Sequence, residues 1–264
     1  MFSLSRNLWA YRGFVMTSIK NEFIARFARS RLGGVWMIVN PLAQVLIYAL
    51  ILSNVLAAKL PGVEHQYAYS LYLMSGILAW SLFAEITNRC LTLFIDQGNL
   101  IKKMRFPRTA LPAIVVGSSL LNNALLFAAV LAVFAVLGHL PNLQIIWLFP
   151  LALAVVLLGL GVGLILGVLN VFVRDIGQVV PILLQIAFWF TPIVYPINIV
   201  PDELKEAISY NPVYAIVRGY HDVLLYGVVP DLTNILVSLG CAMVLLIAGV
   251  FLFRRAAPEM ADVL

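Results

Sequence analysis

Long, unbroken apolar stretches alternate with short basic ones along the whole chain. A helix that crosses the hydrocarbon core of a bilayer needs about 20 mostly apolar residues. Six segments meet that length: Val35 to Ala58, Tyr69 to Phe94, Thr109 to Leu137, Ile145 to Asn170, Ile176 to Tyr195 and Leu232 to Phe253. Their apolar residues run continuously and do not alternate, which excludes the strands of a membrane barrel. The pattern therefore predicts an all-α integral membrane protein, with residues 35–264 forming one six-span transmembrane domain and residues 1–34 a separate N-terminal arm.

Outside the spans, periodicity predicts three short helices. In the arm, Leu8, Tyr11, Val15, Ile19, Phe23 and Phe27 recur at steps of three and four, the mark of an amphipathic helix at the inner membrane surface. Arg12 and Arg26 fall near this stripe, where long side chains can snorkel to water. A helix packed on a soluble partner fits the same pattern. The longest connection, Pro196 to Asp231, is punctuated by Pro201, Pro212 and Pro230. It accommodates short helices over Asp202 to Tyr210 and Val213 to Tyr226, the second with an apolar face of Val213, Ile216, Val217, Tyr220 and Leu224. Both are expected to dip into the outer leaflet or into the mouth of the bundle.

Composition turns this pattern into a requirement. The chain is 62% hydrophobic and 11% charged, against about 45–50% and about 25% for soluble domains. A soluble fold of this length cannot bury such an excess. The cations then give the orientation. With the N-terminus in the cytoplasm, the inner side holds Arg6, Arg12, Lys20, Arg26, Arg29 and Arg31, then Lys102, Lys103, Arg105 and Arg108, then Arg174, Arg254 and Arg255. The outer side holds only Lys59, Lys205 and Arg218, while Arg89 lies inside a span. Both termini are thus expected to be cytoplasmic. The arm has no continuous apolar core, so no cleavable signal peptide is expected and the first span serves as the insertion signal. The net charge of +5 comes from cations flanking apolar runs. No basic stripe with interleaved aromatics occurs, so nucleic-acid binding is not expected. Cys90 and Cys241 fall at different depths, and His65, His139 and His221 lie far from both, so neither a disulfide nor a metal site is expected.

Polar residues within spans carry the candidate chemistry, because lipid offers them no partner. Glu85 and Arg89 stand at i, i+4 in the favourable order. They form either a lining or gating pair in a polar pathway or a structural pair near the inner interface. Asn122 and Asn123, after Ser118 and Ser119, either face that pathway or hold helices together. One four-residue row runs through Trp36, Asn40, Gln44 and Tyr48, and another through Gln178, Pro181, Gln185, Trp189 and Pro192. Rows mixing amides with aromatics suit a sugar passage, since rings stack on pyranose faces and amides bond hydroxyls; they equally suit helix packing. Phe188, Trp189, Phe190 and Tyr195 also suit an outer aromatic belt. Gly159, Gly163 and Gly167 repeat at the spacing of close helix packing. No G-x-x-x-x-G-K-S/T, H-E-x-x-H or G-x-S-x-G string occurs, so the chain is expected neither to bind ATP through a P-loop nor to be an enzyme.

Three stretches carry a family resemblance. Arg26-Phe27, Arg31-Leu32-Gly33, Trp36 and Asn40-Pro41 resemble the opening of ABC-2 type permeases. The run Asn99-Leu100-Ile101-Lys102-Lys103-Met104-Arg105-Phe106-Pro107 resembles the inner loop of their polysaccharide-exporting branch. The segment from Tyr210-Asn211-Pro212 to Leu224-Leu225-Tyr226-Gly227 resembles the outer segment before their last span. That pattern usually has an acidic residue near Arg218 and an arginine near His221; the charges here are swapped, and no role is transferred to either.

The resemblance implies a homodimer in the bacterial inner membrane, paired with two copies of a separate ATP-binding subunit that holds ATP and Mg. No cofactor is expected in this chain. It implies export of an undecaprenyl-diphosphate-linked polysaccharide such as O-antigen, capsule or teichoic acid. It also implies that the arm and the loop Asp96 to Pro107 sit on the ATPase. The substrate pathway would then use Asn40, Gln44, Tyr48, Glu85, Arg89, Asn122, Gln185, Trp189 and Tyr195. Lipid-diphosphate entry or ATPase coupling would use Arg26, Arg29, Arg31, Asn99, Lys102, Lys103 and Arg105. An efflux permease for drugs or small lipids is the alternative within the same superfamily.

Overall fold

A computed structural model describes residues 11–27, 67–98 and 110–263, together with Val35, Trp36, Val39, Ala43 and Ile47. The first predicted span and the basic inner loop lie outside these residues, apart from those five positions. All regular structure among the described residues is helical. The elements are α1 (Arg12–Phe27), α2 (Ala68–Asp96), α3 (Ala110–Val136), α4 (Leu148–Phe172), α5 (Ile176–Phe190), α6 (Asp202–Ser209), α7 (Pro212–His221) and α8 (Leu232–Val263). Four are long and apolar enough to cross a membrane: α2, α3, α4 with the 3-10 turn Leu143–Trp147 before it, and α8.

Two predicted spans end differently from expectation. The fifth was to reach Tyr195, but α5 stops at Phe190 after 15 residues, about 22 Å of helix and short of a bilayer core of about 30 Å. Pro192 accounts for the stop, because it pushes Thr191 out of the helical region; Thr191 is extended, with φ −94° and ψ 128°. The sixth was to end at Phe253, yet α8 continues through Arg254 and Arg255 to Val263. Phe253 stacks on Phe94 of α2 at 5.0 Å, and Ala256 and Met260 one and two turns later remain buried. Packing on the bundle, absent from any hydropathy pattern, extends the helix.

The core is a stack of α2, α4 and α8. One edge of α4, Gly159, Gly163 and Gly167, lies against Ile86, Thr87 and Cys90 of α2. Gly161 on another face meets Leu245 and Leu246 of α8, and Gly249 of α8 approaches the Gly161 carbonyl in return. The glycine repeat is thus a packing seam that lets both neighbours approach α4 closely. Asn170 secures its far end by donating to the Leu91 carbonyl at 2.9 Å.

α7 goes into the bundle mouth. Ile216, Val217 and Tyr220, with Val223 and Leu224 in the following π-type turn, are buried. Val213, Ile216 and Val217 share a small void with Ala79 and Phe83, near the middle of α2, while Gly219 and His221 meet Leu151 and Gly76 nearer the helix ends. Asn211 caps α7 by accepting from the Val213 amide at 2.9 Å, with Pro212 in the first turn. The end of α3 braces the same region: His139 Nε2 lies 2.9 Å from the Leu224 carbonyl, and Asn142 donates to the Gly227 carbonyl at 2.7 Å.

α3 ends in a Schellman turn, with the Gly138 amide donating to Ala135 and the His139 amide to Phe134. Gly138 has φ 76°, and nothing stands within 4 Å of an added Cβ. Gly138→Ala is therefore expected to cost backbone strain alone, about 1 kcal/mol. A thermal melt of the detergent-solubilised protein checks this; an unchanged melt would mean that the turn relaxes.

Candidate functional site

Glu85 and Arg89 are one turn apart on α2, with Arg89 Nη1 3.7 Å from Glu85 Oε1. That pair is one edge of a larger network. Arg89 Nη1 donates to Ser118 Oγ of α3 at 2.7 Å, and Arg89 Nη2 forms an ion pair with Glu22 of α1. The Ser118 hydroxyl lies 3.0 Å from Glu22 Oε2. Asn122, one turn along α3, donates to Glu85 Oε1 at 2.7 Å. Asn123 turns the other way and donates to the Leu78 carbonyl at 2.9 Å. One guanidinium thus joins two carboxylates from different helices, and α3 supplies the neutral partners.

The sequence brings α1 here by shape. Ile19 is buried over Gly117 of α3, where any side chain would collide with its Cδ1. Glu22 follows Ile19 by three residues on the same helix face, and Ser118 adjoins Gly117 in sequence. The covered positions of α1 are Val15, Ser18, Ile19, Glu22 and Phe23, while Met16 and Ile24 are exposed. Val15, Ile19 and Phe23 of the predicted stripe are covered, with Ile19 against α3, whereas Tyr11 is exposed; Leu8 and the side chain of Phe27 lie outside the described residues.

The charged side chains retain some exposure: 23% for Arg89, 31% for Glu22 and 27% for Glu85. Glu22 and Arg89 open onto a pocket of about 400 Å³, lined also by Ser18, Thr92, Asp96 and Gln97 with Phe14, Leu111 and Ile114. Asp96 and Gln97 close α2 and Leu111 opens α3, so the pocket sits at the end of the bundle that these two helix ends share. A charge at mid-bilayer costs about 2.5–3.5 kcal/mol on insertion scales; pairing lowers that cost. The arrangement can hold α1, α2 and α3 together and can exchange partners if α1 moves. Among the described residues, no three His, Cys, Asp or Glu side chains converge as metal ligands.

Of the candidates expected from the sequence, Glu85, Arg89 and Asn122 meet in this network. Gln185 and Trp189 sit elsewhere, on a largely exposed face of α5. The Tyr195 hydroxyl donates to the Trp189 carbonyl at 2.7 Å, which folds the chain after α5 back on itself. Asn40, Gln44, Tyr48, Arg29, Arg31, Asn99, Lys102, Lys103 and Arg105 lie outside the described residues, as does the side chain of Arg26. Sequence reasoning missed Glu22, although it is the only acid among the first 34 residues. It also missed the clamp at the other end of α2. There the Tyr69 hydroxyl donates to the Val194 carbonyl at 2.6 Å, and the Tyr72 hydroxyl reaches the Pro192 and Tyr195 carbonyls, each at 3.0 Å.

Comparison with known proteins gives this geometry a context. A family model described as ABC-2 type transporter matches residues 14–225. The O-antigen export system permease protein RfbA of Myxococcus xanthus is 28% identical over 99% of each chain. A protein of the same name from Klebsiella pneumoniae is 29% identical over 90% of each chain. The polysialic acid transport protein KpsM of Escherichia coli is 23% identical over 90% of this chain and 92% of its own.

Proposed function

We propose, from the premise that this chain belongs to the ABC-2 type transporter family, that it is the membrane permease subunit of an exporter carrying lipid-linked polysaccharide, O-antigen foremost, across the inner membrane. The observation that carries this reading is the similarity to an O-antigen export permease over 99% of both chains. A multi-pass bundle with a polar network at one end fits that role.

In this reading the chain crosses the membrane six times with both termini in the cytoplasm. The segment 35–58 is the first span, and α5 is a short fifth. Two copies pair with two ATP-binding subunits, which supply ATP and Mg. α1 and the inner loop rest on those subunits through Arg26, Arg29, Arg31 and Asn99. Lys102, Lys103 and Arg105 attract the lipid diphosphate at the inner rim. Asn40, Gln44, Tyr48, Gln185, Trp189 and Tyr195 line the passage for the sugar chain. Glu85, Arg89 and Asn122 join Glu22 in relaying the position of α1 into α2 and α3.

Reconstitution tests the reading. Proteoliposomes holding this chain, its ATPase subunit and lipid-linked glycan are expected to move glycan across the bilayer only with ATP. Lys102→Glu with Lys103→Glu is expected to cut that transport at least tenfold while the complex still assembles. Transport of a hydrophobic drug but not of glycan would overturn the substrate class; unchanged glycan transport by the double variant would remove the inner-rim role.

A further inference from the structure

At the opposite end of α2 from the charged network lies a second half-open pocket, of about 350 Å³, between α6, α7 and the turn after α5. We propose that this pocket binds one or two sugar units of the exported glycan, an inference that rests on reading the chain as a glycan permease. Its volume is at the lower end of the range for small-molecule sites, about 300–1,000 Å³, which suits a monosaccharide or disaccharide.

The wall chemistry suits a pyranose, which presents an apolar C–H face and an edge of hydroxyls. Tyr72, Tyr214 and Tyr226 supply three rings, large and rigid surfaces with a polar tip. Lys205, Arg218 and Asp222 supply charged donors and an acceptor. Two of these six polar groups are already committed: the Tyr72 hydroxyl to the backbone carbonyls after α5, and the Lys205 amine to Asp202 at 2.7 Å. The other four form no hydrogen bond with any described residue: the Tyr214 and Tyr226 hydroxyls, the Arg218 guanidinium and the Asp222 carboxylate. Arg218 and Asp222 are one turn apart and still form no ion pair. Four converging polar groups with unspent hydrogen-bonding capacity beside aromatic faces make a recognition surface, since a ligand can complete them without breaking internal bonds.

The walls are also set in advance. His221 stacks on Tyr72 with centroids 3.8 Å apart and planes 17° apart, and its ring sits in the gap left by Gly76. The braces from His139 and Asn142 fix the turn that carries Tyr226. A preformed site loses little freedom on binding.

The test uses the intact permease–ATPase complex in nanodiscs and a defined probe: repeat-unit oligosaccharide released from the host's own surface polysaccharide. Binding is read by saturation-transfer NMR and titration, and glycan transport in proteoliposomes is measured in parallel. Tyr226→Ala and Arg218→Ala are each expected to weaken binding about tenfold. Tyr226→Phe, which keeps the ring, should weaken it about threefold. Tyr210→Ala, an exposed tyrosine outside the pocket, should leave binding unchanged. If the wild-type complex transports glycan but binds no oligosaccharide, or if Tyr226→Ala and Arg218→Ala bind normally, the pocket is not a sugar site. Wild-type proteoliposomes that move no glycan at all would instead overturn the functional reading. Disulfide trapping of Tyr226→Cys to a second copy of the chain would give the pocket to a subunit contact and overturn the proposal.

Discussion

Replacing Arg89 by leucine is expected to abolish ATP-driven transport and to destabilise the bundle by about 2–3 kcal/mol. The variant leaves Glu22 and Glu85 close together with no cation between them. Removing one member of a fully buried pair costs about 3–5 kcal/mol; the partial exposure of these groups and the pocket beside them reduce that figure. Functional loss should exceed the loss of stability, because Arg89 is the cation that ties α1 to α2. Glu22→Gln keeps the shape of the α1 contact and removes its charge. It should therefore leave the melt within about 1 kcal/mol of wild type and still uncouple ATP hydrolysis from transport. The exchange Glu22→Arg with Arg89→Glu restores one bridge and places the new carboxylate beside Glu85, so rescue of transport should be partial. Coupled ATPase and transport measurements in proteoliposomes decide the matter. Normal coupling in both Arg89→Leu and Glu22→Gln would reduce the network to a structural tie.

Hydropathy alone located α2, α3 and α4 to within a few residues, because a continuous apolar run in lipid has one solution, a helix with its backbone groups paired internally. It failed where packing or a single residue sets the end. Pro192 stops α5 inside a run that remains apolar to Tyr195, and the contacts of Ala256 and Met260 carry α8 past two arginines. The candidate site was half legible for a related reason. Glu85, Arg89 and Asn122 announced themselves as polar residues at membrane depth, and their spacing predicted the pair on α2. Glu22 joins them from sixty-seven residues before Arg89, on a helix whose stripe gave its apolar face but not the surface it would meet. The shape match of Ile19 with Gly117 decides that meeting, and no periodicity encodes it. His221 and Tyr72 stayed hidden because an aromatic stack is a property of two helices and neither residue breaks the apolar pattern of its own.

The glycine seam makes the second large prediction, and its three positions are not equivalent. At Gly167 a Cβ would collide with the carbonyl oxygen of Cys90, so the obstruction is the backbone of α2. At Gly163 the nearest atom is the Cys90 Cβ at 2.6 Å, with the Thr87 backbone next at 3.2 Å. At Gly159 the closest contact, 3.2 Å to the Ile86 Cβ, is only tight. Overpacking a well-filled core costs about 1–3 kcal/mol and occasionally more, and cost rises as the obstructing atom becomes harder to move. Gly167→Ala is therefore expected at the upper end, about 3 kcal/mol, Gly163→Ala lower, and Gly159→Ala lowest. Leucine at Gly163 or Gly167 should prevent α4 from seating on α2 and eliminate folded protein. Leucine at Gly240, where nothing stands within 4 Å of an added Cβ, should not. The second-site test separates the two inner positions. Cys90→Gly removes the atom that Gly163→Ala strikes, so the double variant should recover part of the loss. The same change leaves the carbonyl that Gly167→Ala strikes, so no recovery is expected there. Thermal melts of the single and double variants measure the coupling directly. Equal recovery at both positions would mean that α2 shifts as a rigid body, and the seam would then not be set by local contact.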